Sequence, residues 1–438
     1  MGTNPGYTLL AVKNHKEEDD VYDYSYSLRN SLKRLDKSEI LSEGDKKLIR
    51  EFLEHLRAKR VSTGRLAKYG FTIRRLTEHL GVPIRSATRK DVEKLSIWVQ
   101  EQGYSPHTIQ DSLFAIKYFY KFVRSGNTDH ETLFPEEVRW LKVRQKANER
   151  KEPEFFTPAE VETLIKCATR LRDKCMLSVA FERGLRPSEL LLLNVGDVTF
   201  DGMSARIRVR KSKTGERLLR IIATASLLGR YLESHPLKDN PAAPLWVNES
   251  TNHMNERLTW TAWNRIMKEV AMKASVNGKR IHHYLLRHGS ATEAAKLFTD
   301  SELKVLYGWT MGSRMPATYI HLSARDIDPK LEQIYSGKPI EPPKPEFSPS
   351  ICPRCGEKNS PGIRFCGRCG TPLDASELAK AALEMQAWMS DYEDFKKQMT
   401  ERLSSQLSPG AQASSGARPG RSTRTRLPNQ SKPLCSRR

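Results

Sequence analysis

Arg186 stands where a packed core does not need a charged side chain. It lies between Gly184, which is expected to end one helix, and Pro187, which is expected to begin the next. An arginine at such a junction projects towards a site, and its planar guanidinium suits bidentate capture of a phosphate. The alternative interpretation is an arginine that only caps a helix end.

The stretch Ile281–Thr292, IHHYLLRHGSAT, surrounds Arg287 with histidines. In a helix, the residues three and four positions before Arg287 share its face, so Tyr284 and His283 are both predicted to point towards one site. Histidine, with a pKa of about 6.5, suits proton exchange, whereas tyrosine mainly offers a hydrogen bond. His282 is predicted to face away.

Four cysteines form two pairs that suit a metal ion. Cys352 and Cys355 form one CxxC turn, Cys366 and Cys369 form another, and ten residues separate the turns. Each turn lets two thiolates reach one ion, and a glycine after each pair frees the backbone to curl. Four sulfurs complete a tetrahedral Zn²⁺ site with no open position, so the predicted zinc is structural. Metal binding is expected to supply the folding energy of so small a module.

The charge of the chain favours a polyanionic partner. Among 438 residues there are 73 Lys and Arg against 52 Asp and Glu, a formal charge of +21, which indicates nucleic acid before an anionic membrane. No stretch reaches the about 18–20 apolar residues of a membrane span, and the N-terminus lacks the apolar core of a secretory signal. The cysteines form no disulfide framework, so we expect a cytoplasmic, nucleoid-associated protein.

Two motifs of the central region resemble boxes of the tyrosine recombinases, also called phage-type integrases. GLRPSELLLL resembles the first box, which maps the phosphate-binding arginine to Arg186 and its supporting acid to Glu189. SKTGER resembles the tip of the family's β-hairpin, which maps the hairpin lysine to Lys213, with Lys211 as the alternative.

Two further motifs follow in the family's order. LRHGSAT resembles the second box and maps to Arg287 and His288. LYGWTMGSRMPATYIHLS resembles the last box, with Trp309 where members carry His or Trp, and the nucleophile Tyr319 ten residues later. In many members the tyrosine follows nine residues after this position. The wider spacing here is most similar to that of the archaeal integrases. The resemblance covers about residues 40–335, and several ordered motifs make it specific.

The resemblance implies a chemistry that the residue types support. Tyr319 would attack a phosphodiester and form a covalent phosphotyrosyl intermediate, and its pKa of about 10 requires nearby positive charge and a proton acceptor. Arg186 and Arg287 would stabilise the developing charge. Lys213 would protonate the leaving 5′-oxygen, and Trp309 would donate a hydrogen bond. Because the ester keeps the bond energy, no cofactor and no catalytic metal are implied.

The second box departs from the family pattern, which has a histidine three residues before its arginine. That position holds Tyr284, and His283 lies one residue earlier. The register favours Tyr284 and the chemistry favours His283. We interpret Tyr284 as the occupant, with His283 or His288 assisting.

The elements that must position these residues begin with a helical region. Residues 1–36 are predicted to be a flexible segment, and 37–143 a domain of about four or five helices. One helix is expected to have its cap at Ser105, Pro106 at its first position and a stop at Gly126. Another shows apolar residues at spacings of three and four, namely Leu48, Ile49, Phe52, Leu53 and Leu56.

The remaining chain divides by composition. A second, mostly helical domain contains one hairpin, because MSARIRVRKSKTGERLLRIIAT alternates on both sides of KTGE. The predicted segments are a linker at 144–156, a catalytic domain at 157–337, a Pro-rich spacer at 338–350, a zinc ribbon at 351–373, a helix at 374–406 and a disordered basic tail at 407–438. The fold class is mainly α with a small β-hairpin or sheet, comprising a helical core-binding domain, a tyrosine-recombinase catalytic domain and a small four-cysteine zinc ribbon.

The resemblance also implies partners. The helical domain would close a clamp on double-stranded DNA, and four subunits would assemble on two DNA sites. Leu331–Gly337 is a candidate for the exchanged C-terminal element, while the helix at 374–406 or the ribbon is a candidate contact for an accessory protein. Two other functions stay open: a type IB topoisomerase-like relaxing enzyme, and a catalytically impaired DNA-binding regulator of the same fold.

Overall fold

The structure is a computed structural model in which two compact units, Met1–Glu152 and Pro153–Arg438, are mainly helical. The residues it describes are 21–143, 154–202, 204–210, 215–323, 335–336 and 345–407. The predicted fold class, mainly α with a small sheet, is confirmed. The predicted exchange segment Leu331–Gly337, apart from 335–336, and the basic tail after Leu407 lie outside the described residues.

Helices form the described part of the first unit. They are α1 (Tyr24–Asp36), α2 (Glu43–Ala58), α3 (Thr63–Leu80), α4 (Arg89–Glu101), α5 (Pro106–Ser125) and α6 (Glu136–Arg139). In α5 the Ser105 hydroxyl accepts from the Thr108 backbone N–H, and the helix ends at Gly126 with φ of 72°, as predicted. All five apolar residues predicted for the inner face of α2 are buried.

The first helix corrects a prediction. The N-terminal segment 1–36 is predicted to be flexible, and this is wrong for the part that α1 spans. Its Leu28, Leu32 and Leu35 are buried and belong to the core of the first unit. The physical reason is a spacing of four and three residues, which puts the three leucines on one face of a helix that packs against α3. The surrounding residues are mostly polar, so the sequence pattern does not indicate an apolar helix face here.

Helices also dominate the second unit. They are α7 (Pro158–Cys167), α8 (Leu171–Arg183), α9 (Pro187–Leu191), α10 (Ala225–Glu233), α11 (Trp260–Lys273), α12 (Tyr284–Ala295), α13 (Asp300–Tyr307) and α14 (Met315–Ser323). Helix α12 packs against α8, α13 and α14. Gly289 lets α12 also approach the segment just before α7, because a Cβ atom there would lie 2.0 Å from the Phe156 carbonyl oxygen.

The second unit also carries an antiparallel sheet of three strands in the order β1 (Val198–Asp201), β2 (Ser204–Val209), β3 (Arg217–Ile221). Strands β2 and β3 are the predicted hairpin, with Val209 opposite Arg217. Strand β1 is not predicted, because it is short and most of its residues are exposed, so it lacks an apolar alternation. The tip of the hairpin, 211–214, lies outside the described residues.

The C-terminal part contains a small cysteine module and a long helix. Strands β4 (Ser350–Ile351) and β5 (Lys358–Asn359) pair within the module, and α15 spans Ala375–Leu407. The module contacts α7 of the same unit, with a Lys166–Asp374 ion pair at 2.7 Å. None of the described helices is long and apolar enough to cross a membrane.

Candidate active site

The Arg186 junction is built as predicted. Helix α8 ends at Gly184 in the left-handed region, with φ of 53°, and α9 begins at Pro187. Only glycine fits at position 184, because a Cβ atom would also lie 2.3 Å from the Tyr307 ring. The Arg186 guanidinium donates to Glu189 at 2.6 Å and to the Gly308 carbonyl at 3.2 Å.

Glu189 is a buried carboxylate held between two arginines. Arg217 of β3 donates to both of its oxygens, at 2.9 and 2.8 Å, and the Arg186 backbone N–H donates to it at 2.8 Å. Burial by itself raises the pKa of Glu189, but hydrogen bonds and charge from Arg217 and Arg186 lower it to about 2. The carboxylate is therefore ionised at neutral pH and fixes both guanidinium groups.

Sequence reasoning missed Arg217. A usable pattern was present, because strand alternation puts Arg217 on the same face as the buried Leu219 and Ile221. A charged residue beside a hairpin tip is usually exposed to solvent, so Arg217 is not expected to pair with a buried acid. Its partner, Glu189, lies 28 residues earlier in the chain.

Arg287 is buried, with 4% of the residue exposed, and it contacts residues of the first and last motifs. Its guanidinium donates to the Gly184 carbonyl and, at 3.0 Å, to the Tyr307 carbonyl. It also lies over the rings of Tyr307 and Trp309, at 5.4 and 5.7 Å from their centroids. Burial and the charge of Arg186 lower the pKa of Arg287 to about 10, so it remains a cation at neutral pH.

Tyr319 lies beside this arginine cluster on α14 and is 1% exposed. Its ring stacks on Trp309, with centroids 5.7 Å apart and an angle of 4° between planes. Its hydroxyl lies 2.7 Å from Nδ1 of His288. Burial raises the pKa of Tyr319, and the charge of Arg287 opposes that rise.

His288 is therefore the histidine in contact with the predicted nucleophile. Burial, together with His282 and the charge of Arg287, lowers the pKa of His288 to about 4. The imidazole is neutral at pH 7, so one of its nitrogens is available as a proton acceptor. The geometry suits transfer of the phenolic proton of Tyr319 to Nδ1.

His283 does not share the open face predicted for it. It is fully buried, with Nδ1 accepting from the Trp263 indole N–H at 2.9 Å. Because an indole N–H only donates, Nε2 carries the proton and donates to the Leu185 carbonyl at 2.6 Å. Burial lowers the pKa of His283 to about 4. Both nitrogens are engaged, and the ring fixes the residue that precedes Arg186.

Tyr284 occupies the first position of α12 and is 40% exposed. Its ring lies 6.1 Å from that of His288. The two candidates for the second-box slot thus differ, since Tyr284 is open to solvent and His283 is not. Lys213 and its alternative Lys211 lie outside the described residues.

The four cysteines converge as the metal prediction requires. Their sulfur atoms all lie within 4.8 Å of one another. Cys352 and Cys369 are 3.6 Å apart at sulfur, as are Cys355 and Cys366. Sulfurs bound at about 2.3 Å to one tetrahedral zinc lie about 3.8 Å apart, so the set fits this ion. The glycine after each turn has φ of 71°.

Comparison with known proteins gives matches over three regions. Residues 154–325 match the phage integrase family, residues 49–126 match the phage integrase N-terminal SAM-like domain, and residues 351–373 match a zinc-ribbon domain. The last match agrees with the predicted ribbon and its four clustered cysteines.

Two relatives illustrate the similarity. A putative tyrosine recombinase of Caldanaerobacter subterraneus is 30% identical over 239 residues, which are 52% of this chain and 77% of the relative. Tyrosine recombinase XerA of Pyrococcus horikoshii is 27% identical over 255 residues, 58% of this chain and 81% of the relative, and supports in part the predicted archaeal resemblance. A lambda integrase (75–356) dimer bound to a COC′ core site shares the fold, with a TM-score of 0.50 and 16% identity over 62% of this chain and 94% of that one.

Proposed function

Because the chain belongs to the phage integrase family, the tyrosine recombinases, we propose that it is a site-specific DNA recombinase that cleaves and rejoins strands through a 3′-phosphotyrosyl intermediate. The observation that carries this proposal is the 2.7 Å contact between Tyr319 and His288 beside the Arg287 guanidinium. A phenol, a neutral proton acceptor and a fixed cation together supply what phosphodiester cleavage by tyrosine needs.

The arginines would hold the scissile phosphate. Arg186 and Arg287 carry permanent charge, and Glu189 with Arg217 orients the first of them. Most of these donors also contact protein groups, so their positions are set before a substrate arrives. Such preorganised charge stabilises the equatorial oxygens of the transition state without reorganisation during the reaction.

The proton transfers then follow from the contacts. As the Tyr319 oxygen bonds to phosphorus, its proton passes to Nδ1 of His288, and the bond from phosphorus to the 5′-oxygen breaks. Lys213 gives the proton that the 5′-oxygen needs. Religation reverses these steps, so the reaction needs no added cofactor. Trp309 supports the phenol by stacking.

Tyr319 must move for this chemistry. At 1% exposure its hydroxyl is shielded from a duplex, so the side chain has to turn outward as a phosphate docks beside Arg287. Helix α14, which is nine residues long, is the element that would carry this change. Cleavage would then depend on correct docking of the DNA.

The proposal extends to the partners. We assign the helices of 37–143 to a clamp on double-stranded DNA, residues 157–337 to catalysis, and recombination to a tetramer on two sites, acting on DNA in the cytoplasm. The formal charge of +21 supports the DNA contact. The ribbon cysteines would hold a structural zinc ion, which supplies folding energy and no step of catalysis.

Covalent trapping tests the function. The protein is incubated with nicked candidate DNA sites, and adducts are resolved under denaturing conditions. We expect an adduct with the native chain, none with Tyr319→Phe, and an undiminished adduct with Tyr26→Phe, a residue that is 58% exposed. An adduct that persists in Tyr319→Phe contradicts the assignment.

The same experiment separates the two other functions. Relaxation of supercoiled plasmid without preference for any site would indicate a topoisomerase-like enzyme. Site-specific binding with no adduct on any nicked substrate would indicate a regulator that has lost catalysis.

A further inference from the structure

Helix α15 carries a row of large apolar side chains that face solvent. They are between 41% and 66% exposed and comprise Met385, Trp388, Met389, Tyr392, Phe395, Met399 and Leu403. Soluble proteins rarely expose so many large apolar groups on one element, and such a surface marks a binding site.

The row follows the heptad rule of a coiled coil. Met385, Tyr392 and Met399 recur every seven residues and fall at position a, while Trp388 and Phe395 fall at position d. The rings of Trp388 and Tyr392 stack at 5.8 Å, so they form one continuous surface. We call this surface the α15 seam.

A helix of this kind needs a partner. It has 33 residues, so it is about 50 Å long, and its stability in water comes chiefly from packing of its apolar face. Position e also holds Met389 and Leu403, which widens the seam beyond a strict a and d pattern.

The charges beside the seam identify the partner. Asp391 falls at position g and Lys396 at position e of the next heptad. In a parallel pair of identical helices, position g of one copy faces position e of the next heptad in the other copy, so these charges attract on both sides. An antiparallel pair places Asp391 opposite Gln398 or a second Asp391 and loses the attraction.

We propose that the α15 seam pairs with the α15 seam of a second copy of this chain as a parallel coiled coil that forms without DNA. The helix is acidic in a basic protein, with five acidic and three basic residues between 382 and 404. This balance disfavours nucleic acid and an anionic membrane as the occupant. The proposal is independent of the recombinase function.

The first test is the mass of the full-length chain in solution, measured by sedimentation velocity without DNA. We expect a dimer for the native chain and a monomer for Trp388→Glu with Phe395→Glu. The matched control, Ser390→Glu with Ser404→Glu, adds the same charge at position f, away from the seam, and should stay dimeric. A native monomer, or a dimer that survives Trp388→Glu with Phe395→Glu, overturns the proposal.

A charge exchange tests the orientation. Asp391→Lys should raise the dimer dissociation constant by roughly three- to tenfold, and Asp391→Lys with Lys396→Asp should restore it. Equal weakening by the single and double variants overturns the parallel arrangement. Covalent adduct formation by the monomeric variant is assayed separately, so failure of dimerisation and failure of recombinase activity are distinguishable.

Discussion

The hydrogen bond between Tyr319 and His288 changes where the proton acceptor of the reaction is expected. Tyr284 occupies the position three residues before Arg287 where the family has a histidine, and His283 has the side chain suited to proton exchange. In the structure His283 uses both nitrogens on Trp263 and Leu185, whereas His288 contacts the phenol directly. We therefore propose His288 as the base and His283 as a residue that positions the segment before Arg186.

The first prediction concerns His288. His288→Ala should lower the rate of covalent adduct formation by about 10²–10⁴-fold, because the phenol loses its proton acceptor. Single-turnover cleavage of a nicked site measures the rate. The loss should shrink at alkaline pH, where hydroxide removes the proton.

The comparison variant for this prediction is Tyr284→Phe, which removes a solvent-exposed hydroxyl from the same helix. We expect a loss at least tenfold smaller than that of His288→Ala. If Tyr284→Phe lowers the rate more than His288→Ala does, Tyr284 and not His288 would be the residue that assists proton transfer. A loss in His288→Ala that does not change with pH would point to a structural role.

The second prediction concerns stability below neutral pH. Because burial lowers the pKa of His283 to about 4, the folded chain takes up this proton at a lower pH than the unfolded chain, whose value is about 6.5. The unfolding free energy should therefore fall as pH drops from about 6.5 towards 4, and be unaffected by this group above that range.

Urea denaturation at several pH values measures this slope. His283→Gln should be less stable at pH 7.5 and show a weaker pH dependence than the native chain. His253→Gln, which removes an exposed ring, should keep the native slope. An unchanged slope in His283→Gln would rule out burial of this ring as the cause.

Contacts across the chain limit what sequence reasoning finds at this scale. Arg186, Glu189, Arg287, His288, Trp309 and Tyr319 are predicted from ordered motifs, and the described residues bring them into one cluster. The hydrogen-bond partners of Arg287 are backbone carbonyls. Because every residue has a backbone carbonyl, the sequence does not indicate which ones accept from Arg287. The burial of His283 likewise depends on Trp263, whose position no local pattern gives.

At the scale of elements, the carboxylate of Glu189 joins α9 to β3. One side chain thereby links the helix that begins after Arg186 to the strand that follows the hairpin tip. Movement of β3 relative to Arg186, the proposed phosphate-binding arginine, would break a buried ion pair. The contact therefore keeps β3 in a fixed position relative to Arg186.

The third prediction tests this link. Glu189→Gln leaves Arg186 and Arg217 without their shared counter-charge, and we expect a loss of about 3 kcal/mol in unfolding free energy. Glu216→Gln neutralises an exposed acid next to β3, whose pair with Arg208 spans 3.6 Å, and should cost less than about 1 kcal/mol. Chemical denaturation measures both, and equal losses would contradict the link.

Elements with long apolar stripes or clear caps follow from sequence, and short ones do not. The buried face of α2 is predicted from its apolar spacing, and the cap and stop of α5 from Ser105 and Gly126. Helix α1 has three buried leucines in polar surroundings, and β1 has four residues. Their stability comes from packing onto α3 and pairing with β2, which are contacts that a local window does not contain.

At the scale of the whole chain, the ribbon is packed onto the catalytic region rather than standing apart. Beyond the Lys166–Asp374 ion pair, a Cβ atom at Gly362 would lie 2.7 Å from the Glu162 carbonyl oxygen, so the ribbon backbone lies directly on α7. We therefore expect the folding of the ribbon to contribute to the order of this helix.

The fourth prediction is that metal removal loosens α7. A chelator should release one zinc ion per chain and increase amide hydrogen exchange in 158–167, with no change in α2 of the other unit. Cys366→Ser should reproduce this result without chelator, and Cys435→Ser should retain zinc. Unchanged exchange in α7 after complete zinc release would show that the ribbon does not support that helix.

The contact between the ribbon and α7 has a consequence for how the protein is made. Synthesis runs from the N-terminus, so the ribosome completes every candidate catalytic residue, from Arg186 to Tyr319, before it reaches the ribbon. Until then the face of α7 around Glu162 and Lys166 has no cover. A nascent chain that has not yet reached the ribbon would thus carry all the candidate catalytic residues while α7 still lacks its ribbon contact.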